Sequence, residues 1–280
     1  PALIGLEAAD QAGIDARILA ADGTAQKTRI GGNAAVATSC AVAWAAAAGL
    51  GVPLWSHLRT VAGLSPHQDH IPAPMIQIFG GGAHAGNRID VQDFLVIATG
   101  ASSFSEAVEW TAEVYRAAAA LMRQTRPQQG VADEGGIWPD FSGNEEALDV
   151  LTRAIADAGL RPRTDMAIAI DVAATNFYRD GAYVLAADGS RRDTGGMIEM
   201  LARWCDSYPI ISLEDPLAED DDAGFAEITR LLGGRVLSGR RRRLHLHQQI
   251  GRHVLEGLEA ADGAAELDAG LEVVDRDVED

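Results

Sequence analysis

The sequence contains little lysine, little cysteine and no recognisable targeting segment. Lys27 is the only lysine among 23 basic residues, and the two cysteines, Cys40 and Cys205, show no metal-binding or redox spacing. We therefore expect two reduced thiols and no disulfide. The chain has no charged-then-apolar leader and no apolar run that we judge long enough to span a bilayer. These features predict no secretion and no membrane partner.

Negative charge dominates the composition. The formal charge is −18 over 280 residues, which argues against a nucleic-acid partner because phosphate contacts need a positive surface. Hydrophobic residues make up 47% of the chain, enough for a substantial core and too many for a disordered protein. The length suits one large domain or two smaller ones.

Helical patterns alternate with short apolar runs along most of the chain. "MAIAID" and "PIISLED" are typical of buried parallel strands, and their order among helices predicts an α/β fold with a parallel sheet. Asn33 and Asn144 are predicted N-caps, and Glu106 lies in the first turn of a helix that starts at serine. The part before about residue 60 is mostly helical in pattern. The predicted helices are "NAAVATSCAVAWAAAAGLG", "SFSEAVEWTAEVYRAAAALMRQ", "NEEALDVLTRAIADAGL", "GGMIEMLARWCDSY" and "GFAEITRLLGG".

Two carboxylates follow predicted strands. Asp171 ends "MAIAID" and Glu214 ends "PIISLE". The carboxyl ends of parallel barrel strands meet at one rim, so we expect the two side chains to converge. Carboxylate oxygens from separate strands suit Mg²⁺. The alternative is that these acids cap the following helices or lie on solvated loops.

Two glycine-containing loops carry further candidates. Glu134 lies in "VADEGGIWPD", where glycines permit unusual backbone angles and a held carboxylic acid could donate a proton. "FGGGAHAGNRIDVQDF" places His84 in a glycine run, with Gln92 and Asp93 on the strand that follows. An ordinary acidic turn and a structural histidine remain the alternatives, since a glycine-rich loop alone is weak evidence of phosphate binding.

Six collinear stretches carry a resemblance to a known family. They are "QAGIDARILAADGTAQKTRIGGNA", "IPAPMIQIFGGGAHAGNRIDVQDF", "SFSEAVEWTAEVY", "GVADEGGIWPDFSGNEEAL", "IAIDVAATNFYRDGAYVL" and "YPIISLEDPLAEDD". In this order they resemble the enolases, the phosphopyruvate hydratases of glycolysis. The resemblance implies a partial enolase-type β/α barrel, preceded by the helical end of an N-terminal capping domain. It divides the chain into a capping remnant at 1–60, the first part of the barrel at 61–239, and an aberrant tail at 240–280.

The resemblance also implies roles for the candidates. Asp171 and Glu214 correspond to two of three Mg²⁺ ligands, and Glu134 to the acid that protonates a departing hydroxyl. His84 and Gln92 correspond to substrate contacts, and Asp93 takes a neighbouring substrate-binding position. The implied reaction is the reversible dehydration of 2-phosphoglycerate, a phosphorylated three-carbon acid, with a lysine as base. A cytoplasmic homodimer is implied as well.

Several site positions depart from the family pattern. Enolases usually have glutamate at Asp93, asparagine at Gly80 and glycine at Ala132, and "IW" at residues 137 and 138 is also unusual. These changes favour, as an alternative, a diverged branch such as the enolase-like carboxyphosphonoenolpyruvate synthase of phosphonate antibiotic pathways. That enzyme uses related chemistry on a similar three-carbon substrate.

The tail, beginning "RRRRLHLH", breaks the resemblance. Arg240 and Arg241 stand where the family has aspartates that include the third metal ligand. A phosphate-binding patch, a metal site at His245 and His247, and a reading-frame slip are the competing hypotheses, and we favour the slip. The later barrel, its base lysine included, is missing from the resemblance. A non-catalytic, truncated or degenerate relative is therefore the third functional alternative.

Overall fold

The computed structural model describes residues 2–64, 71–125, 130–132, 134–138 and 140–239. The chain forms two compact units that divide between His70 and Ile71. We call them unit 1 (Pro1–His70) and unit 2 (Ile71–Asp280). The sequence-based boundary after residue 60 stays a prediction, and the predicted tail from Arg240 lies outside the described residues.

Unit 1 is helical, as the sequence predicts. Its helices are α1 (Gln11–Asp22), α2 (Gly32–Leu50) and α3 (Leu54–Val61). The Asp10 carboxylate caps α1 by accepting a 2.9 Å hydrogen bond from the amide of Gly13. The prediction that Asn33 caps α2 is wrong, because the N-cap is Gly31, two residues earlier, and no side chain caps the helix.

Helix α2 corrects the expectation that no apolar run could cross a bilayer. Within the described part of the chain it is the one helix long and apolar enough, by length and composition, to do so. Much of its apolar character comes from alanine, which is only weakly hydrophobic. One such helix near the N-terminus is weak evidence, because core helices of soluble proteins and signal sequences meet the same criteria. The absence of a membrane partner stays a prediction.

Unit 2 is built on a five-stranded sheet. The strands are β1 (Met75–Gly80), β2 (Asp93–Ile97), β3 (Ala167–Asp171), β4 (Tyr178–Arg179), β5 (Ala182–Leu185), β6 (Ser190–Arg192), β7 (Ile210–Glu214) and β8 (Leu237–Gly239). The strand order of the main sheet is β1-β2-β3-β7-β8, and a smaller sheet pairs β4, β5 and β6. The helices are α4 (Phe104–Thr125), α5 (Asn144–Asp157), α6 (Thr194–Ser207) and α7 (Asp222–Leu232).

The prediction of a parallel sheet is correct only in part. Strands β3, β7 and β8 are parallel, but β2 runs antiparallel to both β1 and β3. The connection from β1 to β2 contains a 3₁₀ turn at Gly82–Ala85 instead of the crossover helix that a parallel pair needs. The reversal brings the start of β2 to the same edge as the ends of β3 and β7.

A single large apolar core packs one face of the sheet against the helices of unit 2. Every residue of β3 is buried, which explains its uninterrupted apolar sequence. Helix α4 starts as predicted, with Ser103 Oγ accepting a 3.2 Å hydrogen bond from the amide of Glu106. Asn144 is the first residue of α5 and not its N-cap, because its side-chain oxygen accepts instead from the amide of Val91, 3.1 Å away.

Candidate metal and acid–base site

Three carboxylates lie side by side at one edge of the main sheet. Asp93, at the start of β2, pairs in register with Asp171 at the end of β3, which pairs in register with Glu214 at the end of β7. Asp93 is 4% exposed and Asp171 is 3% exposed, whereas Glu214 is half-buried. The structure thus brings together the two predicted metal ligands, and it places Asp93, the predicted substrate-binding residue, beside Asp171.

Gln92 holds the central carboxylate in place. Its side-chain amide donates to Asp171 Oδ2 at 3.2 Å, and its backbone N–H donates to the carbonyl oxygen of Asp171 at 3.1 Å. The amide of Ala173 donates to Asp171 Oδ1, also at 3.1 Å. These bonds hold both oxygens of the Asp171 carboxylate in one orientation.

The glycine-rich loop packs closely against Gln92. A side chain at Gly81 would place its Cβ 2.2 Å from the carbonyl oxygen of Val91, and Gly82 has a positive φ of 50°. These positions therefore require glycine for a steric reason. His84 lies in the 3₁₀ turn of this loop, but its side chain is outside the described part of the structure. Its contact with substrate stays a prediction.

Glu134 lies at the exposed tip of a tight turn. The amide of Ala132 donates to the carbonyl of Gly136 at 2.8 Å, and the amide of Gly135 donates to the carbonyl of Ala132 at 2.9 Å. Gly135 has a φ of 92°, which favours glycine. The Tyr115 hydroxyl donates to the carbonyl of Gly135 at 2.9 Å, which anchors the turn to α4. The turn therefore presents Glu134 to solvent on a fixed backbone.

Two residues that support the site were not predicted. The Gln77 side chain, on β1, contacts both Asp93 and the backbone of Gly136. The buried Tyr183, on β5, accepts a 2.9 Å hydrogen bond from the amide of Ala218 in the loop that follows Glu214. Burial raises the pKa of Tyr183, so the phenol stays neutral. Only a polar residue inside the apolar run "MIQIF" could have drawn attention to Gln77.

Two of the departures from the family pattern touch one another. A Cβ on Gly80 would lie 2.5 Å from the Cβ of Ala132, closer than two side chains approach. The small residue on β1 and the methyl group on the turn are therefore sterically linked. The Trp138 ring packs beside Gly130 and beneath the guanidinium of Arg88, 4.8 Å from the ring centroid.

The donor set suits a hard cation but is incomplete. Adjacent buried carboxylates repel one another, and a divalent cation with oxygen ligands relieves that repulsion. Across residues 2–239, with the undescribed gaps left out, no group of three or more His, Cys, Asp or Glu side chains is arranged to hold a metal ion. Asp171 and Glu214 thus fit Mg²⁺ as two carboxylates that need further ligands from water or substrate.

The fold and the site define part of a β/α barrel, with Asp171 and Glu214 at the carboxyl ends of β3 and β7 and Asp93 beside them at the start of β2. Residues 1–58 match the family model "Enolase, N-terminal domain", and residues 68–239 match "Enolase, C-terminal TIM barrel domain". The chain belongs to the enolase family. It is 44% identical over 236 residues to an enolase of Acidothermus cellulolyticus. The aligned segment covers 84% of this chain and 53% of that relative. The chain therefore spans about half the length of the curated relative that it matches, and the barrel match ends one residue before Arg240.

Proposed function

We propose that this chain carries the magnesium-binding and proton-donating part of an enolase active site. The reaction is the reversible dehydration of 2-phosphoglycerate to phosphoenolpyruvate, in a cytoplasmic homodimer. The register of Asp93, Asp171 and Glu214 at one sheet edge is the observation that carries the proposal. Membership of the enolase family supports a lyase.

In this mechanism the described residues bind, orient and donate a proton. Asp171 and Glu214 would hold Mg²⁺, which when bound would supply positive charge that stabilises the negative charge developing on the substrate. Gln92 keeps the Asp171 carboxylate in one orientation through its 3.2 Å hydrogen bond. Glu134, exposed on its turn, protonates the departing hydroxyl group.

The base must come from elsewhere. The resemblance assigns the carbon-bound proton to a lysine in the later barrel, and the only lysine here is Lys27, in unit 1. We therefore propose turnover for a protein that includes that lysine. The metal ligands and the acid Glu134 can be tested in the chain as it stands. If the tail is genuine, a non-catalytic relative is the corresponding alternative.

The effect of Mg²⁺ on the melting temperature tests the proposed metal site. Saturating Mg²⁺ should stabilise the chain through binding linkage, by about 2.7 kcal/mol at a hundredfold excess over Kd. Asp171→Asn should remove most of this stabilisation, because it removes one anionic ligand. Glu199→Gln, which neutralises an exposed carboxylate on α6, is the matched control and should keep the full response. No Mg²⁺-dependent rise in the wild type would reject the proposal.

The sterically linked pair of Gly80 and Ala132 favours a diverged substrate as the second candidate. Adding 2-phosphoglycerate on top of Mg²⁺ should raise the melting temperature further if the plain enolase reaction is correct. Ordinary dehydration of 2-phosphoglycerate by a version of the protein with the base lysine would exclude carboxyphosphonoenolpyruvate synthase chemistry. Stabilisation only by a phosphonate analogue would favour it.

A further inference from the structure

The side-chain amide of Gln77 joins two parts of the site that lie far apart in sequence. Its Nε2 donates a short hydrogen bond to Asp93 Oδ1 on the neighbouring strand β2. Its Oε1 accepts a 2.7 Å hydrogen bond from the amide of Gly136, in the turn that carries Glu134. Gln77 is only 8% exposed, so losing either bond would leave a buried polar group unpaired.

Chemistry fixes the orientation of this amide. A carboxylate only accepts hydrogen bonds and a backbone N–H only donates, so Nε2 must face Asp93 and Oε1 must face Gly136. The glycines on either side of the amide give it the space it occupies. A Cβ on Gly136 would lie 2.3 Å from Gln77 Oε1, and a Cβ on Gly80 would lie 3.1 Å from Gln77 Nε2. The two glycines thus form a slot that fits the amide.

We propose that Gln77 is a positioning residue. Its side-chain amide couples the position of the turn that carries Glu134 to the position of the Asp93 carboxylate. Strand β1 also supports the turn through its backbone after Gln77, since the amide of Ile137 donates to the carbonyl of Ile78 and the amide of Gly80 donates to the carbonyl of Ile137. Those are backbone bonds and do not depend on Asp93. The side chain of Gln77 joins the turn to the acidic cluster through Asp93. A role for this link in catalysis rests on the proposed function, whereas the hydrogen bonds that form the link do not depend on it.

Hydrogen exchange at the Gly136 amide measures the link directly. In Gln77→Met, which keeps the side-chain length but has no donor or acceptor, this amide should exchange about tenfold faster or more, as expected for one lost hydrogen bond. Gln11→Met is the matched control, because Gln11 is also 8% exposed and hydrogen-bonded, but lies in unit 1. It should leave Gly136 unchanged. Unchanged exchange in Gln77→Met would overturn the proposal.

A pair of reciprocal substitutions distinguishes this link from general support of the fold. Gln77→Glu alone places two carboxylates against one another and should speed exchange at Gly136. Combined with Asp93→Asn, the hydrogen bond can re-form in the opposite direction, and most of the protection should return. If the effects of the two changes simply add, Gln77 is structural only and the proposal fails. This readout needs neither magnesium nor substrate, so its failure is distinguishable from failure of the proposed function.

Discussion

The two units of this chain bury apolar surface very differently. The large core of unit 2 joins strand and helix residues, whereas the buried apolar cluster of unit 1 consists of Ile14, Ile18 and Ala35. Large side chains of unit 1 stay in contact with solvent, among them Trp44, 61% exposed, and Trp55, 56% exposed. Burial alone therefore cannot explain why unit 1 is folded, and local interactions must contribute more there.

The local interactions are visible in the helices of unit 1. Helix α2 is rich in alanine, the best helix former, and ends at Gly51 in the left-handed conformation. The apolar run of β3 indicates a strand, but its position in the sheet depends on pairing with β2 and β7. Unit 1 thus illustrates structure specified by neighbours in sequence, and unit 2 illustrates structure specified by distant partners.

Thiol reactivity should show the largest contrast, since each unit contains one free cysteine. Cys40 on α2 is exposed, whereas burial raises the pKa of Cys205 on α6 to about 12. At about pH 8, roughly one Cys205 thiol in ten thousand is then ionised. A disulfide reagent should label Cys40 at least about a thousandfold faster. Cys40→Ser isolates the slow site, and equally fast labelling of that folded variant would contradict the buried core of unit 2.

Truncation of a buried side chain should also lower the free energy of unfolding more in unit 2 than in unit 1. Leu151 on α5 is fully buried in the large core, so Leu151→Ala should lower the free energy of unfolding by about 3–5 kcal/mol. Ile14→Ala removes a similar volume from a small cluster that can collapse around the gap, and should cost about 2 kcal/mol. Denaturant titrations of both variants measure the difference. Equal costs would mean that unit 1 is packed as tightly as unit 2.

Features specified by neighbours in sequence could be predicted, whereas features specified by distant partners could not. Asp171 and Glu214 could be placed at neighbouring strand ends because their strands are uninterrupted apolar runs. The antiparallel direction of β2 was missed, since it depends on a loop instead of a periodic pattern. Gln77 was missed because its two partners are 16 and 59 positions away. Asn144 was misassigned as a cap for the same reason, because its partner Val91 is distant in sequence.

Acid titration should give a smaller, salt-dependent contrast. Hydrogen bonds from Thr24 and from the amide of Ile30 lower the pKa of Asp22 in unit 1, whereas the Arg161 guanidinium lowers the pKa of Asp165 in unit 2. A lowered pKa in the folded state adds stability above the unfolded value of about 4, and this stability disappears as the pH falls below it. Asp22→Asn and Asp165→Asn should both flatten the decline of the melting temperature in acid.

Added salt should change the stability contributed by Asp165 more than that contributed by Asp22. It should weaken the contribution of Asp165, because that residue forms an ion pair with Arg161 whose arginine is largely exposed. It should leave the contribution of Asp22 nearly unchanged, since its largest stabilising partners are uncharged. Equal salt sensitivity of the two variants would show that a charged group also controls Asp22.

Helix caps should produce the smallest effects, and nearly equal ones in both units. Asp10 caps α1 through the amide of Gly13 at 2.9 Å, and Asp193 caps α6 through the amide of Gly196 at 2.8 Å. Because each cap is an aspartate carboxylate that accepts from a backbone amide at nearly the same distance, each change to alanine should cost about 1 kcal/mol. Exchange at the Gly13 and Gly196 amides, with melting curves, measures both. A much larger loss for Asp10→Ala would show that unit 1, which buries few apolar residues, depends on its caps to fold at all.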